Sequence, residues 1–124
     1  MSLSGKVAVV TGGASGIGRA ISLQLARDGA AIAVWDLNSD GANETVAMIT
    51  NAGGRAIACI GNAASAAEIA SSAARTRKEL GPITILVNNA GIHLKKPAME
   101  VTVEDFNSVL QTNLTAAFAL TRAF

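Results

Sequence analysis

The stretch that decides the fold is Val7-Ala8-Val9-Val10-Thr11-Gly12-Gly13-Ala14-Ser15-Gly16-Ile17-Gly18. Its first four residues form a short apolar run of the kind found in buried strands. The glycines that follow predict a turn, after which Ile17, Ile21 and Leu25 recur every four residues, as on one face of a helix. The stretch therefore predicts a strand, a glycine turn and a helix in direct succession.

The same unit recurs along the chain. Gly29 ends the first predicted helix, as a glycine just beyond a helix C-terminus does, and apolar runs at 31–35, 56–60 and 83–87 predict three further strands. Apolar residues at helical spacing predict three more helices: one with Ala42, Val46 and Ile49, one with Ile69, Ala73 and Leu80, and one beginning near Thr102 or Val103. Strands that are apolar throughout are buried on both faces, and their alternation with helices implies parallel pairing. The sequence therefore predicts a doubly wound α/β fold of the Rossmann type, in one domain over residues 1–124.

The glycine turn lies between the first strand and the first helix, which is where a fold of this type binds a dinucleotide. Glycine suits that place because the chain must turn tightly and let its backbone approach a pyrophosphate, while free N–H groups at the helix start receive the phosphate charge. Gly12, Gly16 and Gly18 fit these tasks, and the hydroxyl of Ser15 can donate to a phosphate. The alternative is a strand-to-helix turn in which the glycines serve the backbone alone.

The spacing of these glycines differs from G-x-G-x-x-G, since three residues separate Gly12 from Gly16 and one separates Gly16 from Gly18. Together with Asn88-Asn89-Ala90-Gly91 after the fourth strand, it resembles the short-chain dehydrogenase/reductase family, from Lys6 to Phe124. The resemblance implies an NAD(P)-dependent oxidoreductase that moves a hydride between nicotinamide and a secondary alcohol or ketone. It also implies cofactor contacts from the glycine turn and from the loop after the fourth strand, at Gly12, Ser15, Gly16, Ile17, Gly18, Asn89, Ala90 and Gly91. The alternative for Asn88 and Asn89 is that they only cap a strand and turn into a loop.

Asp36 stands at the end of the second predicted strand, eighteen residues beyond Gly18. An acid at this place accepts hydrogen bonds from the adenosine ribose hydroxyls and repels a 2′-phosphate. Members of the family that select NADP carry a basic residue in the glycine turn or directly after the second strand, where this chain has Ser15 and Leu37. NAD is therefore expected rather than NADP, with Leu37 beside the cofactor. The alternative is that Asp36 is a simple turn former or helix N-cap.

Asn62 follows the third predicted strand, and Ala63 comes next. In the family the first of these positions is usually an aspartate that binds the adenine amino group, so the amide here is a departure. Because an amide oxygen still accepts a hydrogen bond from an amine, Asn62 and Ala63 are expected to contact the cofactor.

The last predicted helix carries an amide on an otherwise apolar face, through the spacing of Phe106, Leu110, Asn113, Ala117 and Leu120. Such an amide needs a partner, and backbone groups could satisfy it. The family resemblance instead implies that Asn113 is the first member of an Asn-Ser-Tyr-Lys tetrad and holds a water of a proton relay. The chain contains no tyrosine, and it stops before the strand and helix that carry the other members. We therefore expect the cofactor half of an enzyme, truncated after the fourth strand and following helix and inactive by itself.

His93 is the only histidine and lies in the loop that borders the active site in the family. We interpret it as an ordinary loop residue, with lining of the substrate pocket as the alternative. No metal site is expected, because the sequence has neither paired cysteines nor a suitable spacing of histidines and acids.

The composition restricts the classes of partner. The chain is 50% hydrophobic and 15% charged with a formal net charge of +1 and no basic run, which argues against disorder and nucleic-acid binding. The apolar runs are far shorter than the roughly 20 residues that cross a bilayer. A lone Cys59 between Ala58 and Ile60 indicates a buried thiol and a reducing compartment. We expect a cytoplasmic protein with no membrane partner.

The expected partners are a small alcohol or ketone substrate and, by the family resemblance, further copies of the chain in a homodimer or homotetramer. Two other functions stay open. One is a non-enzymatic nucleotide-binding module that ends near Phe124. The other is an NADP-dependent 3-oxoacyl thioester reductase of the same family, which Asp36 disfavours.

Overall fold

The computed structural model of the chain describes residues 2–62, 65–91, 98–110 and 116–123. Its strands are β1 Val7–Thr11, β2 Ala31–Asp36, β3 Ala56–Ile60 and β4 Ile85–Val87. Its helices are α1 Gly16–Arg27, α2 Ser39–Asn51, α3 Ala66–Leu80, α4 Val103–Leu110 and α5 Ala116–Ala123, with a short 3₁₀ turn over Ala98–Glu100.

The strands form one parallel sheet in the order β3-β2-β1-β4. From β1 the chain builds outward through β2 to β3, and it then returns to place β4 on the other side of β1. The order of the strands therefore reverses between β1 and β4, the kind of point at which open α/β sheets bind ligands. The prediction of a doubly wound parallel sheet is confirmed.

The sheet has an apolar core on each face, which explains why β1 is apolar from Val7 to Val10 and β2 from Ala31 to Trp35. Ala8 and Val10 of β1 belong to the core that packs against α1 and α2, which includes Ile49. Val9, between them in sequence, belongs to the opposite core, which includes Leu120 of α5. Neighbouring residues of a strand point to opposite faces, so each needs an apolar side chain when helices cover both.

Strand β4 is shorter than the predicted run of residues 83–87. The N–H of Thr84 donates to the carbonyl of Val7 (2.9 Å), but the N–H of Val7 donates to the Thr84 hydroxyl (3.0 Å). A side-chain oxygen thus takes the place of a backbone acceptor, and regular pairing of β4 begins at Ile85.

The helix predicted from the spacing of Ile17, Ile21 and Leu25 is present, but these three residues do not share one environment. Ile17 is 74% exposed, whereas Ile21 and Leu25 pack against the core. The buried residues of α1 are Gly18 and Ser22. Because α1 begins at Gly16, its first turn includes Ile17, and the side chain there lies outside the packed layer.

The predicted last helix corresponds to two described segments, α4 and α5. Phe106 is 58% exposed on α4, whereas Leu120 of α5 is buried. Asn113 lies outside the described residues. Among the helices that the structure describes, none is long and apolar enough to cross a membrane.

Candidate functional site

The carboxyl ends of β1 and β4 are joined by the hydroxyl of Thr11, a side chain only 1% exposed. This hydroxyl donates to the carbonyl of Val87 (3.2 Å) and accepts the N–H groups of Asn89 (3.1 Å) and Ala90 (3.0 Å). One side chain therefore fixes the start of the loop after β4 against the end of β1. No sequence pattern indicates this cross-strand contact, because its partners are more than seventy residues apart.

Gly12 and Gly18 leave no room for a side chain. A Cβ on Gly12, whose φ is +68°, would lie 2.9 Å from Nδ2 of Asn89 and 3.0 Å from Cα of Ala90. A Cβ on Gly18 would overlap the Gly12 carbonyl oxygen and lie 2.5 Å from the same Asn89 nitrogen. Asn89 Nδ2 also donates to the Gly12 carbonyl (3.3 Å). Close packing of the turn, α1 and the β4 loop thus accounts for these two glycines.

The neighbouring Asn88 points elsewhere. Its amide donates to the hydroxyl of Thr121 on α5 (3.3 Å). The two asparagines therefore have separate tasks: Asn88 contacts a helix, and Asn89 contacts the glycine turn.

Gly16 differs from the other two motif glycines because its surroundings are open. Its φ is +55°, and a Cβ built there meets nothing within 4 Å among the described residues. A φ in this range favours glycine. The first residue of α1 therefore presents bare backbone to open space at the switch point of the sheet.

The N-terminus of α1 has N–H groups that no capping side chain engages. Its N-cap, Ser15, makes no capping hydrogen bond with its side chain, and the first turn holds no acidic residue. By contrast, the side chain of Asn38 caps α2 and that of Ser65 caps α3, and each of those helices has an acid in its first turn. Uncapped N–H groups and the positive end of the helix dipole form a site suited to an anion such as a phosphate.

Asp36 binds backbone at two places. Its Oδ2 accepts the N–H of Ala14 in the glycine turn (3.0 Å), and its Oδ1 accepts the N–H of Asn38 (3.0 Å). The bond to Asn38 is that of a turn former, but the N-cap of α2 is Asn38 itself, which accepts the N–H of Gly41 (3.0 Å). A carboxylate has about four lone-pair sites, so Asp36 retains capacity for a ligand's hydroxyl groups.

Two exposed apolar side chains flank the glycine turn. Ile17 lies on α1, and Leu37, directly after β2, is 70% exposed.

Asn62 follows β3, at the point where the N–H of Gly61 donates to the Asp36 carbonyl (3.1 Å). The parallel sheet thus brings together at one end all the described residues predicted for the site: Gly12, Ser15, Gly16, Ile17, Gly18, Asp36, Leu37, Asn62, Asn89, Ala90 and Gly91. Ala63 and Asn113, like His93, lie outside the described residues.

Arg19 is a residue at this site that the sequence reasoning missed. Its guanidinium donates to the carbonyls of Ala14 (2.6 Å) and Gly41 (3.2 Å) and to the hydroxyl of Thr45 (2.9 Å), and it pairs with Glu44 (3.3 Å). The signal that could have identified Arg19 is its position, as a basic residue directly after Gly18, the last glycine of the motif. Its acceptors on α2 are distant in sequence, so only the fold reveals them.

Cys59 is buried, as predicted, beneath α3. Burial raises the pKa of its thiol, against smaller lowering effects from the Thr76 hydroxyl and the Arg75 guanidinium. No group of three or more metal-ligating side chains occurs in the part of the chain that the structure describes.

A cavity of about 530 Å³ lies at the opposite end of the sheet. It is lined by residues at the ends of α1 and α2 and by the basic side chains of Lys6, Arg27 and Arg55. Helix C-termini carry partial negative charge, which basic side chains complement. Since open parallel sheets bind ligands at the carboxyl ends of their strands, the glycine turn is the better candidate.

Comparisons with known proteins agree with this geometry. Residues 6–124 match the family described as short chain dehydrogenase. The chain is 43% identical to D-threitol dehydrogenase of Mycolicibacterium smegmatis, in a match that covers 98% of this chain and 46% of that protein. It is 38% identical to 7alpha-hydroxysteroid dehydrogenase of Escherichia coli, in a match that covers 97% of this chain and 47% of that protein. A crystal structure of a dehydrogenase/reductase from Sinorhizobium meliloti superposes with a TM-score of 0.95 at 43% identity, covering 98% of this chain and 49% of that one. The chain thus spans about half the length of the relatives it matches.

Proposed function

We propose, from the premise that the chain belongs to the short-chain dehydrogenase family, that it supplies the cofactor-binding part of an NAD-dependent oxidoreductase. The reaction is hydride transfer between nicotinamide and a secondary alcohol or ketone. The relatives named above are dehydrogenases and a dehydrogenase/reductase, which favours an enzyme over a non-enzymatic nucleotide-binding module.

The observation that carries the proposal is the open N-terminus of α1. Gly16 presents bare backbone there, Ser15 leaves the N–H groups uncapped, and the strand order reverses beside it. A pyrophosphate fits this arrangement because its charge meets helix N–H groups that the Ser15 side chain leaves uncapped, in a first turn without an acidic residue. We assign the pyrophosphate to the backbone around Gly16, with the Ser15 hydroxyl as a further donor.

The preference for NAD rests on Asp36 and Arg19. The carboxylate of Asp36 is held at the end of β2 by the Ala14 and Asn38 N–H groups, so it can accept ribose hydroxyls and repels a 2′-phosphate. The nearby cation of Arg19 is engaged by carbonyls, Thr45 and Glu44, so its guanidinium is not free to pair with that phosphate. Leu37 and Asn62 border the adenosine end, with Ala63 following Asn62.

Bound nicotinamide supplies the hydride-transfer chemistry, and the protein positions it. Asn89, Ala90 and Gly91 are assigned to the adenosine ribose and the nicotinamide side of the cofactor, and Thr11 holds their loop in place. The assignment of Asn113 to a proton relay remains a prediction. The relatives named above are a D-threitol dehydrogenase and a 7alpha-hydroxysteroid dehydrogenase, which supports a substrate that bears a hydroxyl group.

Two further parts of the proposal concern the whole protein. Exposed apolar residues on α4 and α5, including Val103, Phe106 and Phe118, support a homo-oligomer. The single buried cysteine and the balanced charge support a cytoplasmic location.

The test is kinetic and uses the full-length natural protein with a panel of secondary alcohols. We expect a higher kcat/KM with NAD than with NADP, and an Asp36→Ala variant that discriminates less between them. Asp28→Ala, at the far end of α1, is the control and leaves the ratio unchanged. A natural protein with kcat/KM at least as high for NADP contradicts the NAD assignment, and one that oxidises no secondary alcohol contradicts the reaction.

A further inference from the structure

We propose that Arg19 and Thr45 form a brace between the glycine turn and α2, and that both are positioning residues for the dinucleotide. The inference rests on the proposed cofactor site and adds two residues to it. Neither residue belongs to the family motif that identified the site.

Arg19 connects two segments. Its guanidinium donates to the Ala14 carbonyl in the glycine turn and to the Gly41 carbonyl and Thr45 hydroxyl in α2. Its side chain is 23% exposed, and its ionic partner Glu44 is 66% exposed. An exposed pair of this kind contributes little by itself, so the inward bonds are the important ones.

Thr45 makes the second connection. It is fully buried, and its hydroxyl lies 2.9 Å from the Gly13 carbonyl and 3.2 Å from the Gly41 carbonyl while accepting the Nε–H of Arg19. A helical threonine can be satisfied by the carbonyl four residues earlier, which here is that of Gly41. The shorter contact to Gly13 reaches out of the helix to the turn.

The two segments also touch directly. A Cβ on Gly41 would lie 2.9 Å from the carbonyl oxygen of Ala14 and 3.0 Å from its Cβ. The same Ala14 donates its N–H to Asp36. Ala14 is therefore held at its carbonyl by Arg19 and at its N–H by the carboxylate assigned to the ribose.

Because of these bonds, the turn is ordered before a ligand arrives. Without the brace, the carbonyls of Gly13 and Ala14 lose their partners and the turn samples other conformations. Binding must then order it again, and that cost appears as lower dinucleotide affinity.

The test compares two buried threonines in the full-length protein. Thr45→Val removes the hydroxyl of the brace. Thr76→Val is the matched control, because Thr76 is also fully buried and bonds the carbonyl four residues earlier (Ser72, 2.7 Å) but lies on α3, on the other face of the sheet. The measurements are NADH affinity by calorimetry and Tm by scanning calorimetry.

We expect Thr45→Val to weaken NADH binding by about threefold to tenfold, the effect of one net hydrogen bond. Thr76→Val lowers Tm without changing affinity, and Thr45→Ser, which keeps the hydroxyl, restores binding. Arg19→Lys keeps the charge but loses the planar fork, so it also weakens NADH binding.

Unchanged affinity in folded Thr45→Val and Arg19→Lys overturns the brace while leaving the cofactor site intact. If Thr45→Val does not fold, Arg19→Lys decides: weaker binding supports the brace, and binding equal to the natural protein overturns it. A natural protein that binds no NADH overturns the cofactor site and the brace together, so the two failures are distinguishable.

Discussion

Replacing Thr11 by valine should cost stability far beyond what the change in size implies. The two side chains are nearly isosteric, but the hydroxyl makes three hydrogen bonds at a position that is 1% exposed. Valine removes the donor to the Val87 carbonyl and the acceptor of the Asn89 and Ala90 N–H groups. The Asn89 N–H keeps a contact with the Val87 carbonyl (3.0 Å), so the Ala90 N–H is the group that loses its acceptor.

The magnitude follows from these contacts. A net hydrogen bond contributes about 1 kcal/mol, and leaving a fully buried donor without an acceptor costs about 1 to 3 kcal/mol. Because the Ala90 N–H is only partly buried, its cost lies at the lower end of that range. The sum is a loss of about 2 kcal/mol, a substantial share of the roughly 5 to 15 kcal/mol that stabilises a typical domain. The loop that carries Asn89 and Ala90 also becomes free to move, so NADH affinity falls with stability.

The assay is urea unfolding of the full-length protein, with Thr76→Val as the control. Thr76 donates within its own helix, so its replacement should cost about 1 kcal/mol or less. The reasoning is refuted if Thr11→Val and Thr76→Val have the same free energy of unfolding, because the cross-strand bonds would then contribute nothing.

Three further perturbations test other parts of the account. Gly18→Ala forces a Cβ onto the Gly12 carbonyl and should cost about 1 to 3 kcal/mol of unfolding free energy; an unchanged urea midpoint would contradict the packing role. Gly16→Ala and Gly53→Ala both place a Cβ in open space at positive φ, so both variants should lose about 1 to 2 kcal/mol of stability. Only Gly16→Ala should weaken NADH binding. Equal NADH affinities of the two variants, measured by calorimetry, would refute the pyrophosphate assignment. Burial raises the pKa of Cys59, so the stability due to its protonated thiol is present at neutral pH and lost as pH rises through the raised pKa. The unfolding free energy should therefore fall less steeply at alkaline pH in Cys59→Ala, and identical alkaline slopes would count against a buried, protonated thiol.

The sequence predicted the sheet well because burial on both faces leaves a clear pattern. Every residue of β1 and β2 except the last of each strand is apolar, and the glycine turn marks where β1 ends. Helical spacing placed Ile17 on α1 but did not show that it is exposed, because spacing gives the side of a helix that a residue occupies and not how far its packed layer reaches. The shortening of β4 was missed because a threonine hydroxyl replaces a backbone acceptor there.

The sequence predicted which residues meet at the carboxyl end of the sheet, but not the bonds that connect them. Asp36 was identified from its place after β2, yet its bond to Ala14 depends on how the turn and the strand end meet. The partners of Thr11, and those of Arg19 on α2, lie more than twenty residues away in sequence. Such bonds leave no local pattern, so they appear only when the fold is known.

The central claim is that the glycine turn binds a dinucleotide. Its most direct test is a titration of isotope-labelled full-length protein with NADH, followed by the backbone amide chemical shifts. The account predicts saturable shifts around Gly16, Asp36 and Asn89, with little change around Arg55 at the opposite end of the sheet. Shifts confined to the cavity near Arg55, or no saturable shifts at all, would contradict it.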